Sequence, residues 1–204
     1  MCVNLRHDSL VRKKPRLMIY DMDGCVVDSS VRLTQTVDIA ALERGDYQSY
    51  CNSFEKYNET LDGDVPIPLG IAMVASLRQE LSVDRTVALT ARGDGGRVLT
   101  LGQLCAYMPW RVEEEDLLMR PSRQKDAEGN FWSHGMPKFD AVDYKRGVTL
   151  KLMETYDVVC AVDDHSLIIE MYRSLGINAI HMQHEGIDCL SAAGDKNQPE
   201  LKGI

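Results

Sequence analysis

The sequence predicts an α/β fold: a central parallel sheet of about five strands with helices on both faces, and a small helical insertion after the first strand. Three observations predict it. Short apolar runs recur along the chain, each ending abruptly in acidic, hydroxyl or turn residues. Helical patterns fill the intervals, and 204 residues, 44% of them hydrophobic, suffice to bury one substantial core. Buried strands alternating with helices pack as a parallel sheet covered on both sides.

The first run, Leu17-Met18-Ile19-Tyr20, stops at Asp21-Met22-Asp23-Gly24, which places Asp21 at the carboxyl end of a buried strand. The second covers 86–89 and ends in Thr90-Ala91-Arg92-Gly93-Asp94-Gly95-Gly96; the third covers 117–119 and ends in Arg120-Pro121. The fourth, 158–162, ends in Asp163-Asp164, and the fifth covers 179–182. Helical patterns occupy 68–81, 97–107, 144–156 and 166–175, the last stopped by Gly176. Residues 29–65 are polar and tyrosine-rich, and fit an insertion that leans over the strand ends as a partial lid. Within it Tyr47, Tyr50, Phe54 and Tyr57 form a helical stripe, which is either the insertion's packing face or a set of rings for stacking a base. The expected layout is an N-terminal arm over 1–16, a core over 17–185 carrying the insertion 29–65, and a polar tail over 186–204.

Composition narrows the function. A formal charge of −8 argues against nucleic-acid binding through a uniformly basic surface, so any such contact is local. Six cysteines without a C-x-x-C pair read as reduced thiols. No apolar stretch approaches the ~20 residues of a membrane helix, and the first residues lack a signal peptide's apolar core. A soluble, cytoplasmic protein with no membrane contact and no obligate protein partner is expected. No G-x-x-x-x-G-K-[ST] occurs, which excludes a P-loop kinase segment. His134, His165, His181 and His184 lack metal-ligand spacing and read as surface or sheet-end residues.

Ligands of such sheets bind beyond the strand carboxyl ends, where strand order reverses. Three of these ends carry Asp21/Asp23, Thr90/Arg92 and Asp163/Asp164, so the fold brings them to one small volume. Phosphoryl transfer needs an in-line nucleophile, a proton donor for the leaving oxygen, and cations on the equatorial oxygens. Asp21 suits the nucleophile, forming an acyl phosphate. Asp23 suits the proton transfers, and Gly24 permits the tight turn between them. The carboxylates Asp21, Asp23, Asp163 and Asp164 are the candidate ligands for Mg²⁺, and Thr90 with a lysine suits the non-bridging oxygens. Asp163-Asp164 also stand where they would cap the helix beginning near Ser166.

Asp21-Met22-Asp23-Gly24-Cys25-Val26-Val27-Asp28, Thr90 and Asp163-Asp164 together resemble the motifs of the haloacid dehalogenase superfamily. That resemblance implies a Rossmann-like fold, a covalent aspartyl-phosphate mechanism and Mg²⁺ dependence. Leu89-Thr90-Ala91-Arg92, Leu118-Met119-Arg120-Pro121 and Ala161-Val162-Asp163-Asp164, with Ile169 to Gly176, are similar to the 3′-phosphatase domain of phage-type polynucleotide kinases and its stand-alone relatives. By that likeness Thr90, Ala91, Arg92 and Arg120 contact phosphate or substrate, and Lys145 is the phosphate-binding lysine, with Lys151 the alternative. Cys25 stands where the family has Thr or Val, and residues 123–143 lack an Arg-x-Asp pattern before the lysine.

The implied activity is hydrolysis of a phosphomonoester, on a nucleic-acid 3′ end or a nucleotide. A phosphatase of small metabolites is the alternative, for which the acidic composition argues. A phospho-acceptor signalling domain is a remote third reading; it would carry its acidic pair early and its acceptor later, the reverse of the order here.

Overall fold

The computed structural model describes residues 14–122, 127–128 and 141–183. Its sheet contains β1 (Arg16–Tyr20), β4 (Arg85–Gly93), β5 (Leu117–Arg120), β6 (Asp157–Asp163) and β7 (Asn178–His181). All pairings are parallel and the spatial order is β5-β4-β1-β6-β7. The chain leaves the central β1 first toward β4 and β5 and then returns to lay β6 and β7 on the other side. The strand ends of β1, β4 and β6 therefore meet at the reversal, where a crevice forms.

Alternation along β1 divides the core. Leu17 and Ile19 face one layer with Val87, Leu89, Ile168 and Tyr172, while Met18 and Tyr20 face the other with Val74, Ala88 and Leu104. Helices α4 (Pro68–Glu80) and α5 (Arg97–Tyr107) cover the second layer; α6 (Ala141–Thr155) and α7 (Ser166–Ser174) cover the first. Because each face is apolar, the strands read as continuous apolar runs rather than alternating ones. Gly176, at φ 79°, stops α7 through its N–H to the Arg173 carbonyl.

The insertion contains α1 (Ser30–Thr36), α2 (Ile39–Glu43) and α3 (Tyr47–Glu59). An antiparallel ladder of β2 (Val27–Asp28) with β3 (Val65–Pro66) closes its neck. Tyr50, Phe54 and Tyr57 turn inward on Leu33 and Val37, with ring centroids 5.8 and 5.4 Å apart along the row. Three of the stripe's four rings, Tyr50, Phe54 and Tyr57, thus form the insertion's packing face. Among the described residues no helix is long and apolar enough to cross a membrane. Residues 1–13 of the arm, the tail, His134, His184, Cys2 and Cys189 lie outside the described residues, as does most of the 123–143 segment, while Arg16, expected in the arm, already belongs to β1.

Candidate active site

The loop leaving β1 is wound tightly. The Met22 carbonyl accepts the N–H groups of Cys25, Val26 and Val27 at 3.2, 2.9 and 3.0 Å, and Gly24 takes a left-handed φ of 71°. Helix α4 starts directly against this loop: a Cβ on Gly70 would lie 1.8 Å from the Cys25 carbonyl oxygen. Loop and helix fix where Asp21 and Asp23 stand.

Asp21 meets Lys145 and Asp163 across the crevice. The Lys145 Nζ, from α6 and fully buried, lies 2.7 Å from Asp163 Oδ2 and 3.0 Å from Asp21 Oδ1. Asp163 Oδ1 accepts the His165 N–H at 3.0 Å. Ligand oxygens of Asp21, Asp163 and Asp164 all fall within 4.8 Å of one another. Burial pushes the Asp21 carboxyl well above the usual range, Lys145 opposes this, and Asp163, Asp164 and Asp23 add to it. Burial would lower Lys145, but the charges of Asp163 and Asp21 hold its ammonium well above the ordinary lysine value.

The ion pair with Lys145 lies outside hydrogen-bond geometry, so the buried Asp21 Oδ1 accepts no hydrogen bond. A buried oxygen with unused lone pairs, beside two further carboxylates, fits a hard divalent cation such as Mg²⁺. Asp21, Asp163 and Asp164 are the residues that would hold it.

The carboxylate of Asp23 is not one of the three that gather there and is held by arginines instead. Its carboxylate takes Arg92 Nε at 2.8 Å and Nη2 at 2.6 Å, and Arg32 Nη2 at 3.1 Å. Burial alone would push Asp23 up; the charge and hydrogen bonds of Arg92, then Arg32, override it and hold the carboxyl well below the usual range. Behind the arginines Asp64 accepts Arg32 Nε at 2.7 Å, Arg92 Nη2 at 3.2 Å and Gln103 Nε2 at 3.0 Å.

Arg92 reaches Asp23 because β4 is irregular. Thr90 pairs with Met119 and Gly93 with the next residue, Arg120, so Ala91 and Arg92 form a bulge. The buried Thr90 accepts the Arg92 N–H at 3.2 Å through its Oγ1. The Ala91 carbonyl accepts Arg120 Nε at 2.8 Å, and Arg120 Nη2 donates to Glu55 of α3.

The sheet thus brings Asp21, Asp23, Thr90, Lys145, Asp163 and Asp164 to one end. Of the two lysines weighed from sequence, Lys145 is in the cluster and Lys151 is exposed. Arg92 and Arg120, expected on substrate, are buried and engaged by carboxylates of the chain itself. At the start of α7 His165 is the N-cap and accepts the Leu167 N–H on Nδ1, while Asp163 accepts the N–H of His165 itself. Arg32, Glu55, Asp64 and Gln103 were missed, because none follows an apolar strand. The one signal for Arg32 was a charge between apolar residues in a helical segment, Val31-Arg32-Leu33.

In sequence, no family model and no curated protein matches the chain. In structure, it is similar to a chain of the Pnkp1/Rnl/Hen1 RNA repair complex, at 18% identity over 82% of this chain and 42% of that one, TM-score 0.50. A second structure of the Pnkp1/Rnl/Hen1 complex matches at 19% identity over 83% and 45%, TM-score 0.51. A haloacid dehalogenase-like hydrolase from Streptococcus pneumoniae matches at 12% identity over 82% and 84%, TM-score 0.49. The fold, a five-stranded parallel sheet between helices, is the one it shares with these RNA-repair chains. This chain spans less than half the length of the RNA-repair chains it matches. The shared fold fixes where the strand ends meet; the side chains standing there are this chain's own.

Proposed function

We propose that this chain is a Mg²⁺-dependent phosphomonoesterase with Asp21 as nucleophile. The observation that carries this reading is the meeting of Asp21, Asp163 and Asp164 around the buried Lys145 at the sheet's carboxyl end. The cation supplies charge neutralisation for the transferring phosphoryl group. An Asp21 oxygen bonds to phosphorus in line as the bond from phosphorus to the alcohol oxygen breaks, leaving an acyl phosphate and a free alcohol. Lys145 and Thr90 hold the non-bridging oxygens.

Asp23 handles the protons. Arg92 and Arg32 keep it ionised at neutral pH, so the proton passed to the departing oxygen comes from the substrate's phosphate monoanion through Asp23. In the second step the ionised carboxylate takes a proton from the water that attacks the acyl phosphate; the bond from phosphorus to the Asp21 oxygen breaks, Asp21 regains its carboxylate, and Asp23 passes the proton to the released phosphate. The monoanion prevails below about pH 6. Turnover of alkyl phosphates is therefore expected to fall as pH rises through that range, as a pH series of kcat/KM would record.

Asp21→Asn is expected to abolish phosphate release while leaving the circular dichroism spectrum unchanged. An active Asp21→Asn protein would overturn the nucleophile assignment.

The substrate we propose is a nucleic-acid 3′-phosphate end or a nucleotide, a reading supported by the likeness to the RNA-repair chains. A specific observation favours a second reading, a small phosphorylated metabolite: both arginines expected to grip a polyanion are engaged inside the protein. One assay decides between them, comparing a 3′-phosphorylated oligonucleotide, 3′- and 5′-mononucleotides and sugar phosphates. Turnover of the sugar phosphates alone would sink the nucleic-acid reading.

A further inference from the structure

We infer that Asp64, a residue of the insertion, is a positioning residue for the phosphatase chemistry proposed above, on which this inference rests. It acts by clamping the two arginines that orient Asp23. Each oxygen of its carboxylate has its own partner: Oδ1 takes Arg32 Nε at 2.7 Å, and Oδ2 takes Arg92 Nη2 at 3.2 Å with Gln103 Nε2 at 3.0 Å. The same two guanidinium groups reach forward to Asp23. Asp23 and Asp64 are thus opposite corners of a ring in which two cations bridge two carboxylates, and the Asp64 side chain is only 1% exposed. Gln103 ties the ring again by accepting Arg92 Nη1 at 2.9 Å.

Charge balance shows why the second carboxylate is needed. Two buried guanidinium groups facing Asp23 alone carry one uncompensated positive charge beside the phosphate site. That excess would draw an arriving phosphate toward the arginines and away from Asp21. With Asp64 in place the ring is neutral, and both forks keep the geometry that points Asp23 at the leaving oxygen. Arg32 lies near the entry of the insertion and Asp64 at its exit, just before β3, so the insertion supplies half of the ring. Tyr57 fixes the Arg32 end, its ring 3.8 Å beneath the guanidinium carbon and its carbonyl accepting Nη1 at 2.7 Å.

The test compares Asp64→Asn with the wild type on a 3′-phosphorylated oligonucleotide and on p-nitrophenyl phosphate, whose leaving group needs little proton assistance. The expected result is a fall in kcat on the oligonucleotide at least about tenfold larger than on the aryl ester, with KM unchanged or lower on both. Equal losses on both substrates in a folded variant, or no loss, would overturn the positioning role. A second readout does not depend on turnover: the side-chain signals of Arg32 Nε–H and Arg92 Nη2–H, the groups that donate to Asp64, in nitrogen-15 spectra, assigned through Arg32→Lys and Arg92→Lys. Both are expected to be dispersed and slow to exchange in the wild type, and to lose that protection in Asp64→Asn. If both persist, the clamp is refuted whether or not the wild type hydrolyses either ester. A wild type that turns over neither ester but loses both signals in the variant keeps the clamp and defeats the phosphatase reading. Asp64→Glu, which keeps the charge and displaces the carboxylate, carries the same two readouts if Asp64→Asn does not fold.

Discussion

Lys145 and Asp21 show how one buried cation serves two states of the site. Without a divalent ion, Lys145 is the counter-charge that stands 2.7 Å from the buried Asp163. Lys145→Met removes that charge and leaves a buried carboxylate uncompensated, a change worth about 3 kcal/mol. Urea unfolding without added metal measures it; an unchanged midpoint would place the stabilising charge elsewhere. Asp21 carries the complementary expectation. Its pKa is raised by burial and then by its acidic neighbours, so the ordinary carboxyl form is favoured, and stability is lost as pH rises and the group ionises. A metal ion reverses the sign, because it requires the ionised form. The rise in melting temperature on adding Mg²⁺ should therefore grow between about pH 5 and 8. A rise that shrinks over this range would refute the cation site.

At the scale of elements, Gly70 is the tightest constraint on the site's shape. Gly70→Ala drives a methyl group into the Cys25 carbonyl, and α4 or the Asp21 loop must shift. A loss of about 2 kcal/mol or more is expected by urea unfolding, together with lower activity if the proposed chemistry holds, since the displaced loop carries Asp21 and Asp23. The sheet was legible in the sequence because its strands are short apolar runs, three of which stop at a residue that faces the crevice: Asp21, Thr90 and Asp163. The β4 bulge was not legible. The apolar run ends at Leu89, but pairing continues to Gly93 because β5 supplies partners that sequence pattern does not display. Arg32, Asp64 and Gln103 were hidden for a related reason: their meaning lies in one another, and they come from three different segments. The two-residue strands β2 and β3 are too short for any period to appear.

For the whole molecule, the contacts between insertion and core lead us to expect a fixed wall of the site rather than a hinged lid. Arg32, Glu55 and Asp64 each bond to a core residue, and the Asn58 carbonyl would lie 2.4 Å from a Cβ on Gly96. Insertion and core are expected to open as one unit, so α3 amides should exchange with solvent no more than about tenfold faster than those of β4. Exchange of α3 as a separate, faster class would show an independent lid. The β2–β3 ladder adds a consequence for what can be grafted. Asp28 and Val65 are ladder partners, so the chain leaves the core and rejoins it at adjacent points, and a short turn would bridge them. By geometry the segment between them is an exchangeable cassette. By chemistry it is not, since any replacement that omits a cation at Arg32 or an anion at Asp64 changes the charge standing next to Asp23.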